Sequence, residues 1–187
     1  MKKPNWFKKH LIDTTGLSLV ATPIFALIET TKGEMSFLES IYSRAGATAT
    51  GYLGNAFIYS RGRDIIRNFF NINDKTSEVV QTTTDAIYSG LFNFALGMGI
   101  YTFTTNKDLG SLVESSFWAG LVGTGVGPIG GYVIDVFRDL TGIQKCERDL
   151  YPKKIKNLGN REKKIALRFV SAGLVGLTTI VYGLTSQ

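Results

Sequence analysis

The charges of this chain are spaced in a way that limits what it can fold into. No Asp, Glu, Lys or Arg occurs from Thr14 to Ile28, Ala45 to Ser60, Ala86 to Asn106, Ser115 to Ile134 or Phe169 to Gln187. Each window runs 15 to 21 residues. A helix rises about 1.5 Å per residue and a bilayer's hydrocarbon core is about 30 Å thick, so the longer windows reach across it. The first two are short and span only if flanking charges stretch to the interface. Mean hydropathy is only +0.07, so the distribution and not the average carries the signal. Five uncharged windows leave too little polar surface for a water-soluble bundle. The 21 glycines also suit membrane helices, where small residues let backbones pack closely. The expected fold is all-α: a polytopic transmembrane bundle of four core helices and a fifth, C-terminal one.

The basic start, "MKKPNWFKKHLIDTTGLSLVATPIFALIE", mimics a signal peptide, but no small-x-small cleavage site follows the apolar run. It is read as a first transmembrane helix. The expected organisation is an exporter-like membrane domain over 1–140, a basic cytoplasmic linker over 141–164 and an added apolar helix over 165–187. On five spans, eighteen of the 21 basic residues fall on one side, leaving Lys32, Arg44 and Lys107 on the other. That asymmetry puts the N-terminus in the cytoplasm, with the chain in the inner membrane. The net charge of +6 is thereby read as topology and not as nucleic-acid binding. Asp139, Glu147, Asp149 and Glu162 make the linker mixed, and it is expected to rest against lipid headgroups.

Charges at the ends of apolar windows are costly and therefore informative. Glu29 closes the first window and Arg44 opens the second, and the two could pair on the outer side. Asp13, Asp64, Asp85, Asp135 and Arg138 gather toward the inner side. Asp13 and Asp64 read as interface anchors, whereas Arg44 and Asp85 each open directly onto an uncharged helix and read as functional. In "GTGVGPIGGYVIDVFRD", Gly123, Gly127 and Gly131 form two GxxxG steps on one face, a helix-contact surface within the chain or between copies of it. The second window has a similar small-residue face at Gly46, Thr50 and Gly54, widened by Ala47 and Gly51.

Several motifs together resemble the bacterial L-alanine exporter family. They are "DTT" at 13–15, "IE" at 28–29, "MSFLESIYSR" at 35–44, "RD" at 63–64, Asp85 in "TTTDAIY" and "GPIGGYVIDVFRDL" at 127–140. The resemblance covers roughly residues 13–140. It implies a four-helix membrane protein that exports L-alanine, or related small neutral amino acids, by proton antiport. It further implies roles for Arg44 and Asp85, and self-association through Gly127 and Gly131. The basic linker and the last apolar segment have no counterpart in it.

A zwitterion such as alanine calls for a cation, an anion and little room. Arg44 would present a planar fork to the carboxylate, and Asp85 would hold the ammonium or carry the proton. Glu29 and Asp135 complete the expected coupling set. The expected partners are a small amino acid, protons, the bilayer and further copies of the chain, with no cofactor, metal or nucleic acid. A single Cys and a single His leave no disulfide or multi-cysteine metal site, and no nucleophile–base pair or phosphate loop points to an enzyme. Two other classes fit the same pattern. A non-transporting scaffold would assemble through the glycine face, and a small channel would use the Gly/Thr-rich second window as its wall.

Overall fold

The computed structural model of the chain describes residues 5–31, 36–73, 76–104 and 108–185. Every regular element among them is helical: α1 (Trp6–Thr31), α2 (Phe37–Thr50), a π-type turn (Gly51–Asn55), α3 (Ala56–Phe69), α4 (Glu78–Thr104), α5 (Leu109–Leu140), a single turn α6 (Lys153–Lys156) and α7 (Asn160–Thr185). Among the described residues, Trp6–Leu27 of α1, Leu109–Leu140 and Asn160–Thr185 are long and apolar enough to cross a membrane. The fold is thus all-α and the chain reads as a membrane protein.

As far as the described residues go, four of the five uncharged windows fall in single helices. The second does not, which corrects the expectation of a straight span there. α2 stops at Thr50, the backbone loosens into the π-type turn, and α3 resumes at Ala56. Gly54 in that turn adopts φ 142° and ψ −17°, a conformation that residues with a Cβ rarely take. The small residues that made this window a weak helix also let it break. Other boundaries follow familiar chemistry. Asn71 takes φ 53° just beyond α3, and Gly142 takes φ 73° just beyond α5. There the Gly142 and Ile143 N–H groups bond back to the Asp139 and Arg138 carbonyls at 2.9 Å each.

The chain forms two compact units: Met1–Ser60 with Val133–Glu147 and Tyr151–Gln187, and Arg61–Tyr132 with Arg148–Leu150. In the first, α1 packs along both α7 and α2. Ala26, Val181 and Tyr182 form a small apolar core there, with Ile41 against it. The Ser40 and Tyr182 hydroxyls bond at 3.0 Å, and the Phe37 ring meets Tyr182 edge-on. The last apolar segment thus continues a helix whose charged first turn begins at Asn160, and that helix forms a wall of this unit.

In the second unit α4 and α5 approach almost backbone to backbone. A Cβ on Gly120 would lie 3.1 Å from the Gly90 carbonyl, and one on Gly90 3.2 Å from the Gly120 carbonyl. The GxxxG face is used here, inside the chain. A Cβ on Gly123 would come within 2.6 Å of Asn93 Nδ2, and one on Gly127 within 2.5 Å of the Asp85 carbonyl and the Ser89 Cβ.

Polarity runs opposite to that of a soluble protein. Asp13, Asp85, Arg63, Arg138, Asp139 and Arg148 are all buried, while Leu53, Phe69, Val79, Phe169 and Leu184 are exposed. α3 shows the inversion within one helix: Arg63 is 1% exposed, whereas Ile58, Ile65 and Phe69 are 62%, 57% and 76% exposed. Such a surface is stable against hydrocarbon and not against water.

Candidate functional site: buried ion pairs and a broken helix

One face of α4 carries Glu78, Gln81, Asp85, Ser89 and Asn93, spaced three or four residues apart and so aligned on a single helical stripe. Asp85 is its centre and is fully buried. Arg63 of α3 meets it as a fork: Nε donates to Oδ1 at 2.7 Å and Nη2 to Oδ2 at 3.0 Å. Arg148, from the loop after α5, also donates to Oδ2, and its other nitrogen reaches Glu78 at 3.0 Å. The Asp149 N–H adds a bond to Glu78 at 3.1 Å, and the Arg148 guanidinium lies 5.9 Å from the centre of the Tyr132 ring. One turn after Arg63 on α3, Arg67 donates to Gln81, between Glu78 and Asp85 on α4. Two guanidiniums and two carboxylates thus form a cluster of zero formal charge, the arrangement that makes buried ions tolerable. Gly131 is what admits it: a Cβ there would lie 2.0 Å from Asp85 Oδ2.

Asp13 and Arg138 make a second buried pair, in the first unit. Arg138 Nε and Nη2 donate to the two Asp13 oxygens at 2.8 and 2.6 Å, with the side chains 0% and 1% exposed. Asp13 is therefore a buried ion and not the interfacial anchor its position suggests. Gly16, one turn on, lies against the Phe137 ring, where a Cβ would sit 2.8 Å from Cγ.

A third cluster centres on Asp139, which accepts from the Lys163 ammonium at 2.8 Å, the Tyr151 hydroxyl at 2.9 Å and the Cys146 N–H at 3.3 Å. Lys163 is 7% exposed and Arg148 3%. Within the basic segment 141–164, Lys145, Lys153, Lys154, Arg161 and Lys164 are exposed, but two residues are not. Its Arg148 and Lys163 are internal counter-ions.

The break in the second window has its own support. His10 is buried on α1, and its Nε2 lies 3.0 Å from the Tyr52 carbonyl, inside the π-type turn. Its Nδ1 lies 3.3 Å from the Thr14 hydroxyl. The Tyr52 hydroxyl bonds Thr15 at 2.7 Å, and the Phe57 ring meets the imidazole edge-on. A π-type turn leaves main-chain groups off the usual ladder, and here a side chain of α1 engages one of them.

The expected site residues belong to both units. Asp85 is the hub of the cluster in the second unit. Arg44 is half-buried in the first, its guanidinium 4.8 Å from the centre of the Phe25 ring. Asp135 is half-buried in the first unit, one turn before Arg138. The Glu29 side chain, and with it the expected Glu29–Arg44 pair, lies outside the described residues. Gly123, Gly127 and Gly131 face α4. Sequence reasoning missed Arg63, Arg148, Lys163 and His10 as site residues. The first three lay among basic residues assigned to topology, and a lone histidine carried no signal. The polar stripe on α4 was the available clue to an internal cluster.

Comparison of the chain with protein families, with characterised proteins and with solved structures finds no match.

Proposed function

We propose that this protein is a membrane transporter that exports L-alanine or related small neutral amino acids in exchange for protons. The observation that carries the proposal is the inverted polarity, with paired carboxylates and guanidiniums enclosed by helices whose outer faces are apolar. Ionisable groups in such an interior are expensive to keep and mark pathways for ions and polar solutes. The broken second window adds to it. Transporters commonly place solute sites where a membrane helix is interrupted, because the loosened backbone can rearrange there. The motif resemblance supplies the substrate class.

The geometry reshapes the expected mechanism. Both Asp85 oxygens already accept from arginine, so Asp85 can take a proton or an ammonium only after a guanidinium withdraws. Arg148 is the one to move, because it comes from a loop and keeps Glu78 as a second acceptor. Arg63 is fixed on a helix. In this scheme proton arrival at Asp85 and release of Arg148 are one event. The reading also places the protein in an inner membrane with a cytoplasmic N-terminus, on the strength of the basic-residue asymmetry.

The scaffold reading was motivated by the GxxxG face, and that face is filled by α4 of the same chain. Assembly into homo-oligomers would then use another surface.

The test is radiolabelled L-alanine flux in proteoliposomes, with and without an imposed pH gradient. Saturable, gradient-driven uphill flux is expected. Non-saturating, gradient-indifferent flux would identify a channel, and no flux from folded protein would favour the scaffold. Full gradient-driven export by Asp85→Asn would remove Asp85 from proton coupling.

A further inference from the structure

The Glu78–Arg148 pair stands at the edge of the buried cluster in the second unit. Glu78 opens α4 and is 15% exposed, whereas Asp85, two turns further on, is fully buried. Asp149 and Leu150, next to Arg148 in the chain, are exposed. The cluster thus meets its surroundings at the Glu78 end. In the proposed orientation that end faces the cytoplasm, the side from which an exporter loads. Three features suit the pair to a zwitterion.

The first is charge. An amino acid brings one carboxylate and one ammonium, and the pair supplies one guanidinium and one carboxylate, 3.0 Å apart. A zwitterion inserted between them replaces one ionic contact by two of the same kind. It adds no net charge to a cluster whose formal charge is zero, so no ion is left unneutralised. A solute with only one of the two charges would satisfy Arg148 or Glu78 but not both.

The second is that each member stays held when the other leaves. Glu78 also accepts from the Asp149 N–H at 3.1 Å and from the Thr82 hydroxyl at 3.4 Å. Arg148 also donates to Asp85 and lies 5.9 Å from the centre of the Tyr132 ring. Both groups therefore remain aimed when the pair parts, which lowers the ordering cost of binding.

The third is mobility. Arg148 lies in the irregular segment between α5 and α6, and Glu78 lies in the first turn of α4. The pair can part without shifting a helix. Arg63 and Asp85 both sit within helices and have no such freedom.

We infer that the Glu78–Arg148 pair is the loading site for amino-acid zwitterions, with Arg148 taking the carboxylate and Glu78 the ammonium. The inference rests on the transport reading and extends it by naming the groups that grip the solute. It also accounts for exchange. While Asp85 is ionised it holds Arg148 from the far side, and the solute carboxylate has only Glu78 to displace. When Asp85 takes a proton, Glu78 is the carboxylate of the cluster left to Arg148, so the pair closes and the solute is expelled. Proton and solute compete for one guanidinium.

The experiment is competition for labelled alanine flux in proteoliposomes of the full chain, with each variant's folding checked by thermal unfolding. In the wild type, unlabelled serine competes, whereas lactate and ethylamine, each carrying one of alanine's two charges, do not. Glu78→Gln raises KM for alanine roughly ten- to a hundredfold, the loss of one ionic hydrogen bond, and Glu78→Asp recovers part of it. Because Glu78→Gln no longer selects for an ammonium, lactate competes in it nearly as well as alanine. A purely structural role for Glu78 would not change specificity in that way. Saturable wild-type flux with KM unchanged in Glu78→Gln, a raised KM with lactate still excluded, or lactate and ethylamine competing in the wild type as well as alanine overturns the assignment and leaves the transport reading standing. No saturable flux from folded wild-type protein overturns both.

Discussion

Replacing Asp85 by leucine would remove both carboxylate oxygens to which the buried Arg63 fork donates. Arg63 is 1% exposed, and Asp85 supplies both acceptors of its fork. Arg148 would keep Glu78, so the loss falls mainly on Arg63. Breaking a buried pair from one side costs about 3–5 kcal/mol, because the remaining charge loses its neutralising carboxylate and gains no water. At roughly 2–4 °C per kcal/mol for a chain of this size, Asp85→Leu lowers the melting temperature by ~6–20 °C. Glu78→Gln should cost far less, since Arg148 keeps Asp85 and Glu78 itself is 15% exposed. The decisive comparison is the double variant Arg63→Met with Asp85→Leu. Removing both charges eliminates the unneutralised buried ion and should recover much of the loss. The assay is thermal unfolding of purified protein in detergent, followed by circular dichroism. A single variant as stable as wild type, or a double variant no better than the single, would refute the claim that the cluster is held by mutual neutralisation.

Three further outcomes follow from particular positions. Gly131→Ala and Gly127→Ala should each destabilise, since their Cβ atoms would lie 2.0 Å and 2.5 Å from Asp85 atoms, whereas Gly125→Ala meets nothing within 4 Å and should be neutral or stabilising by up to ~1 kcal/mol; thermal unfolding of the three separates them. Gly54→Ala, at φ 142°, should cost about 1–3 kcal/mol and expose the break between α2 and α3 to limited proteolysis; unchanged cleavage and stability would count against a strained turn. Asp108 precedes α5, and the Ser111 N–H and hydroxyl, at 2.8 and 3.0 Å, hold its carboxyl below the usual value of 3.8. A lowered folded pKa means that its support is full above the unfolded value and is lost as pH falls through the folded one. Amide exchange at Ser111 should therefore accelerate on acidification in wild type and be much less pH-dependent, after correction for intrinsic rates, in Asp108→Asn.

Much of the fold was legible, for a simple reason. Uncharged windows long enough for a bilayer need no tertiary information to be recognised, and over the described residues four of the five fall in single helices. The second window was legible only in part. Its glycines signalled a poor helix, yet where the break fell depended on α1, whose His10 and Thr15 engage Tyr52. The glycines at 123, 127 and 131 announced a contact face, but nothing in their spacing said whether the partner was α4 or another copy of the chain.

The sequence by itself determined that this is an all-helical chain with apolar helices long enough to cross a membrane. That information is local, carried by runs of residues along one chain segment. The pairing of ions was decided by tertiary structure alone. Asp13 with Arg138 and Lys163 with Asp139 join residues far apart in sequence, and Asp85 joins helix-borne Arg63 with Arg148 from a loop. Arg63, Arg138, Arg148 and Lys163, which counted along the chain record only an excess of positive charge, become internal counter-ions within their own units. Electrostatic neutralisation depends on distance in space, and composition holds no record of that.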